Sequence, residues 1–188
     1  MQLATITAVF VAAVPAADDV KAPPPESVFP IRGQVEWGEG DARYGAWRGG
    51  RAHEGQDVFA DAGTPIVSVR AGIAVEKGDD GGRGNYLAIW NRDARRTFVY
   101  LHMQRPSRVR QGERVRAGER IGAVGCTGSC WGNHLHLEVR LGRGTTGPPR
   151  DPLPLLHRLA VRAEPGPSRT DGIAPVRAEP GPSRTADR

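Results

Sequence analysis

Between Phe29 and Leu156 the chain is written in short apolar or alternating runs cut apart by glycine turns, and that pattern confines it to β structure. Ile66–Arg70, Ile73–Glu76, Tyr86–Asn91, Thr97–Met103 and His134–Arg140 each read as a strand. The glycine-rich segment 78–84 reads as a hairpin loop, because it lacks the Lys-Ser/Thr pair and following helix of a phosphate loop. Asp79 and Asp80 within it fit a solvated turn better than a calcium site. No part of the domain shows an amphipathic helical period. Gly112-Glu113-Arg114-Val115 is echoed by Gly118-Glu119-Arg120-Ile121, which predicts two short stacked strand–turn units.

Alternation also sorts the polar residues. Side chains two apart on a strand share a face. His134, His136 and Glu138 therefore face one way, and Leu135, Leu137 and Val139 the other, toward the core. The same rule puts Phe98, Tyr100 and His102 together, opposite Val99, Leu101 and Met103. Upstream, His53-Glu54-Gly55-Gln56-Asp57 runs into Val58-Phe59-Ala60 and reads as a loop entering a strand. Imidazole nitrogens and carboxylate oxygens are ordinary zinc ligands. His53, Asp57 and one further histidine make a three-ligand set that leaves a place for water, as hydrolytic zinc sites do. The helical His-Glu-x-x-His motif is absent, so the general base must come from elsewhere. His134 and His102 are the candidates, since a neutral imidazole is available near pH 7.

The flanks read differently. Met1 to Ala17 holds the one long apolar run, of signal-peptide length and too short to span a bilayer, so 1–17 is expected to be an export signal. A Pro-rich linker follows at 18–28, then the domain at 29–157. In the last segment, 158–188, Val161–Thr170 and Val176–Thr185 are the same ten residues. Almost without large apolar side chains, that segment is expected to be a disordered tail. Formal net charge is +5, and the basic residues are almost all arginine. That balance suits polyanion partners such as nucleic acid or acidic cell-wall polymers. There is no block of like charge and no basic stretch interleaved with aromatics, so nucleic acid is not expected. A monomer with no integral membrane segment in the mature chain is expected.

The two cysteines, Cys126 and Cys130, leave two readings open. One is a small disulfide across a tight turn in an oxidising compartment. The other is a Cys-x3-Cys-x3-His-x-His metal cluster, although fingers place about a dozen residues between their ligand pairs. On the first reading, replacing both by serine should lower stability and spare the chemistry.

At these residues the chain resembles the lysostaphin-type zinc metallopeptidases, which cut bacterial peptidoglycan. The family's His-x-Gly-x-Asp is matched by His53, Gly55 and Asp57, followed by Ala60 and Gly63-Thr64-Pro65. Its Tyr-x-His is Tyr100-Leu101-His102. Its glycine-rich run is matched by Gly118, Ile121, Gly122, Gly125, Thr127 and Gly128, and its His-Leu-His-Phe-Glu by His134-Leu135-His136-Leu137-Glu138. The resemblance spans about Phe29 to Leu156. It implies a mainly β fold, a small antiparallel sheet with an open groove. It implies one Zn2+ held by His53, Asp57 and His136, with His134 and His102 activating water and stabilising the oxyanion. The implied substrate is the peptide crosslink of peptidoglycan. Relatives of this fold that lack ligands act instead as wall-binding or amidase-activator modules. This chain keeps all five residues.

Overall fold

A computed structural model describes residues 26–162. The export signal, most of the linker and the repeats from residue 163 onward lie outside the described residues. The strands are β1 (Glu36–Trp37), β2 (Gln56–Phe59), β3 (Pro65–Val67), β4 (Gly72–Asp80), β5 (Gly84–Asn91), β6 (Arg96–Met103), β7 (Arg114–Val115), β8 (Arg120–Ala123), β9 (His134–Leu141) and β10 (Pro149–Arg150). Seven of them form an antiparallel sheet in the order β1-β2-β9-β6-β5-β4-β7, with β10 also paired to β9, while β3 and β8 make a separate two-stranded sheet. The fold is therefore mainly β and antiparallel, as the runs predict.

The core lies on one face of the large sheet. Val58, Leu87, Ile89, Phe98, Tyr100, Leu135, Leu137 and Val139 point there and pack against Ile66, Val69, Ile121 and Val124 from the smaller sheet region. The opposite face carries a second, smaller apolar set, Tyr86, Ala88, Val99 and Leu101. Tyr100 belongs to the core, with no exposure, and its phenolic oxygen accepts the buried Val69 N–H at 2.8 Å. Burial pushes the phenol well above its ordinary pKa, so the bond is that of a neutral hydroxyl. Tyr100→Phe is expected to strand that N–H and cost about 1–3 kcal/mol in urea unfolding, with zinc content unchanged. A loss of zinc would instead place Tyr100 in the site.

Three expectations are corrected. A helix, α1 (Leu153–Arg162), closes the described chain and buries Leu156 and Leu159 in the core. It starts where Asp151 Oδ1 accepts the Leu153 N–H at 2.8 Å, and it carries the packed fold beyond residue 157. The echoed segments do not stack on each other: β7 pairs with β4, and β8 with β3. What they share is a turn. Glu113 accepts the Arg110 N–H and Glu119 accepts the Arg116 N–H, at 2.8 and 2.9 Å.

The third correction concerns His102. Alternation puts it with Phe98 and Tyr100 in the core. Near the end of β6, however, the pairing with β5 slips by one residue between Asn85 and Leu87, and His102 takes φ +60°. This bulge rotates His102 to the face of Val99 and Leu101 and returns Met103 to the core. A non-glycine residue in the left-handed region carries about 1–2 kcal/mol of backbone strain, held here by the pairing on either side.

Candidate metal centre

Two of the expected ligands stand on one rung of the sheet. Asp57 of β2 is directly opposite His136 of β9, and Leu101 of β6 flanks His136 on its other side. His53 arrives from the loop before β2. Its backbone N–H donates to Ala46 and its carbonyl accepts from Gly45, both at 2.8 Å. The result is a tight triangle. His53 Nε2 lies 2.9 Å from His136 Nδ1 and 3.2 Å from Asp57 Oδ1, and His136 Nδ1 lies 2.9 Å from Asp57 Oδ1. All three residues are buried. They are the group of His, Asp, Glu and Cys side chains among the described residues close enough to hold a metal ion together.

The protonation pattern fits a cation. His53 Nδ1 sits 2.8 Å from the Arg43 carbonyl, which can only accept, so the proton is on Nδ1 and Nε2 offers its lone pair. His136 Nε2 sits 3.2 Å from Glu138 Oε1, which leaves Nδ1 as the inward atom. Three lone-pair atoms at such distances repel unless a positive charge lies among them. A tetrahedral zinc with bonds of about 2.0–2.1 Å spaces its ligand atoms by about 3.3 Å, close to the edges of this triangle. Burial alone would raise the Asp57 pKa. Hydrogen bonding to His136 and His53 and the charge on the imidazoles outweigh it and hold Asp57 far below the carboxylate range. Burial opposes a charged His136, yet hydrogen bonding and the charges of Asp57 and Glu138 outweigh it and raise its pKa.

A second layer fixes the ligands. Glu138 Oε2 accepts from Arg140 Nε at 2.7 Å, and Arg140 Nη2 reaches Glu54 Oε2 at 2.6 Å. Burial would raise Glu138, but His136 and Arg140 hold it ionised. Arg48 Nη2 donates to Asp57 Oδ2 at 2.6 Å, so only Oδ1 faces the centre. Gly55 lies so close that a Cβ there would meet His136 Nε2 at 2.5 Å. The motif's glycine is a matter of space. The sequence reading placed Glu138 on the right face without a role. It missed Arg140, which the same alternation would have reached two positions on. It also missed Arg48, which nothing in an arginine-rich chain singles out.

His102 and His134 come together beside the triangle, ring centres 4.9 Å apart. His134 Nε2 is 3.6 Å from Asp57 Oδ1. His102 Nδ1 donates to the Thr127 carbonyl at 2.8 Å, and His134 Nδ1 to the Gly132 carbonyl at 3.0 Å. Both therefore present an unprotonated Nε2. Desolvation lowers both pKa values, that of His102 to about 4, so both are neutral at pH 7. The five candidate residues thus converge, beside a cavity of about 220 Å3 floored by Val99 and Leu101. The fifth histidine, His157, lies elsewhere, packed against Trp37.

Both carbonyl partners belong to one short loop. Cys126 and Cys130 are disulfide-bonded, which removes the cysteine–histidine metal reading. Thr127 sits inside that ring and Gly132 two residues beyond it. The loop docks on the β4–β5 turn through Ser129 N–H to Gly82 at 3.0 Å and Asn85 N–H to Thr127 Oγ1 at 2.9 Å. Gly128 and Gly84 touch at a distance that admits no side chain. Replacing both cysteines by serine is expected to cost about 2 kcal/mol, the chain-entropy value for so short a ring. Because the loop carries the acceptors for both imidazoles, it should also lower turnover about tenfold, at unchanged zinc content. Full turnover would show that the docking contacts alone hold the loop.

A family model described as peptidase family M23 matches residues 51–152. The peptidoglycan DD-endopeptidase ShyC of Vibrio cholerae is 32% identical over 142 residues, covering 74% of this chain and 28% of that protein. The DD-carboxypeptidase/endopeptidase Mpg of Neisseria meningitidis is 39% identical over 108 residues, covering 55% of this chain and 24% of its own length. The chain thus spans about a quarter of the length of these relatives. Among solved structures, the catalytic domain of the antimicrobial peptidase lysostaphin from Staphylococcus simulans superposes with a TM-score of 0.58 at 31% identity, covering 65% of this chain and 92% of that one.

Proposed function

Since this chain belongs to peptidase family M23, we propose that it is an exported, zinc-dependent endopeptidase that hydrolyses peptide crosslinks of bacterial peptidoglycan. The observation that carries this reading is the convergence of three inward lone pairs with two neutral imidazoles at one end of an open cleft. His53, Asp57 and His136 would hold one Zn2+. Zinc there supplies a Lewis acid that lowers the pKa of water toward neutrality and polarises a peptide carbonyl.

The protein's own groups do the rest. His134 Nε2, the nearer of the two free imidazole nitrogens to Asp57 Oδ1, takes the proton from the attacking water. Its Nδ1–H stays on the Gly132 carbonyl, so the imidazolium that forms keeps its orientation. The same Nε2–H can then protonate the leaving amine. His102 lies next to His134, ring centres 4.9 Å apart, and borders the cleft. As negative charge builds on the carbonyl oxygen, His102 would take up a second proton, from solvent, at Nε2 and so become a donor to the oxyanion, with its Nδ1–H still held by the Thr127 carbonyl. Arg48 holds Asp57 Oδ2 and leaves Oδ1 for the metal, and Glu138, accepting at Nε2, keeps the inward Nδ1 of His136 free for it. Val99 and Leu101 make the floor apolar, so fixed charges act there with less screening than in water.

Among the described residues no helix is long and apolar enough to cross a membrane. Export and action outside the cytoplasm remain part of the proposal and rest on the N-terminal apolar run and on the printed activities of the relatives. The test is mass spectrometry of purified peptidoglycan after incubation with the full chain and zinc, with His134→Ala as control. New amino termini at crosslinks, made only by the unaltered protein, are the expected result and identify the bond. Intact walls of every crosslink type, despite bound zinc, would overturn the reading in favour of a non-hydrolytic wall-binding or activator module.

A further inference from the structure

The metal cleft is not the largest hollow on its side of the sheet. A second one, of about 1240 Å3, lies at the far corner and is lined by Ile73, Trp90, Arg92, Arg114, Arg116 and Arg143, among others. The register shows that its floor belongs to the same face as the metal centre. Arg140 of β9 is opposite Thr97 of β6, Thr97 opposite Trp90 of β5, Trp90 opposite Ile73 of β4, and Ile73 opposite Arg114 of β7. Residues on one rung of an antiparallel sheet share a face. Their chain neighbours Val139, Phe98, Ile89, Ala74 and Val115 all point into the core. At a strand spacing of about 4.8 Å and a rise of about 3.4 Å per residue, Trp90 lies roughly 17 Å from His136.

The segment between β9 and β10 runs between the two hollows. It crosses the sheet above Thr97, whose Oγ1 donates to the Gly142 carbonyl at 2.7 Å and accepts the Gly144 N–H at 3.1 Å. Beyond that, Thr145 Oγ1 is tied to Glu76 Oε2 at 2.9 Å. Thr145 borders the metal cleft and Arg143 the distal one.

The distal hollow is strongly basic. Arg92, Arg114, Arg116 and Arg143 are exposed, and among the described residues none of their guanidinium groups has a hydrogen-bond or ion-pair partner. The acidic residues there are Asp93 and Glu119, and the Glu119 carboxylate already accepts the Arg116 N–H at 2.9 Å. Between the arginines the floor is Trp90 and Ile73, both half-buried. Free guanidinium groups around an apolar, partly aromatic floor suit a chain that alternates carboxylates with ring or aliphatic surface.

We propose that this arginine-lined hollow is a second binding site, which holds the carboxylate-bearing strand of the same polymer whose crosslink lies in the metal cleft. Continuity of the face selects that occupant. A polymer reaching over the segment above Thr97 enters the basic hollow, whereas a short peptide does not reach it. For the identity of the polymer the proposal rests on the function argued above, but binding can be measured without catalysis.

The experiment uses the full zinc-loaded chain, with polygalacturonate as a carboxylate-bearing sugar chain and inorganic polyphosphate as the other anion, both by titration calorimetry at low and high salt. Arg92→Gln, Arg114→Gln, Arg116→Gln and Arg143→Gln together should weaken polygalacturonate binding at least tenfold and flatten its salt dependence. Cleavage of a short soluble crosslinked peptide should be unchanged, while KM for intact wall rises. The control removes the same charge from exposed arginines on other surfaces: Arg105, Arg108, Arg110 and Arg120, all to Gln. It should bind as the unaltered protein does. An equal loss in the control would show a net-charge effect, and tighter binding of polyphosphate would point to a different polymer. No binding of either anion by the unaltered chain would remove the site. Each of these three results overturns the proposal. Failure to cut any peptide, with polygalacturonate still bound through these arginines, would count against the hydrolytic reading alone.

Discussion

His136→Ala is expected to yield a folded protein without zinc and without activity, whereas His134→Ala keeps zinc and loses turnover. The two residues are two apart on β9 and equally buried, so a general disturbance of the strand would affect both alike. Their surroundings differ. His136 Nδ1 is within 2.9 Å of both other ligand atoms, and its loss leaves two ligands on a metal that needs three from the protein. His134 Nε2 stands 3.6 Å from Asp57 Oδ1, and its Nδ1 is spent on a backbone carbonyl. Removing it takes away a proton acceptor, worth about 10²–10⁴ in rate. Metal content by atomic emission and turnover on purified wall separate the two. Equal zinc loss in both variants would overturn the assignment of roles.

The second large effect is expected at a residue that touches neither metal nor substrate. Glu138→Ala should weaken zinc binding about 10–100-fold, the usual penalty for removing an acceptor behind a ligating imidazole. Two consequences add up. His136 loses the carboxylate that sets its tautomer, and the Arg140 guanidinium keeps only Glu54 and the Gly147 carbonyl. Glu138→Gln divides them. Its amide oxygen can still accept from His136, but its NH2 then faces Arg140 Nε, donor against donor, so zinc affinity should fall between the two. Competition with a chromogenic chelator reads the series. Equal affinity in all three proteins would mean that the strand pairing alone orients His136.

Much of this centre was legible because its chemistry follows strand alternation. His134, His136 and Glu138 on one face and Leu135, Leu137 and Val139 on the other are a local pattern, and the structure reproduces it. His102 was misplaced for the opposite reason. Its side is decided by a slipped register against Asn85 and Leu87, and the sequence of β6 holds no trace of that. Arg48 is similar: its partner is nine residues away, and only the fold of the intervening loop brings them together. Helix α1 was hidden because Pro152 and Pro154 break up the apolar spacing at its start. Yet Asp151 followed by proline is a common way to begin a helix. The serine variant expected to spare the chemistry is recast on a fact about carbonyls. A sequence does not show that Thr127 and Gly132 accept the histidine protons.

The pairing of β2 with β9 also bears on when the molecule becomes competent. Asp57 and His136 are 79 residues apart in the chain yet share a rung. A growing or threading polypeptide can offer His53 and Asp57 long before the strand that completes the centre has emerged. Until β9 inserts between β2 and β6, His53 and Asp57 have neither His136 nor the neighbouring His134 beside them. Such long-range closure is slow compared with local hairpins. The order of residues along the chain thus acts as a timer, leaving the centre incomplete until nearly all of the domain is in place.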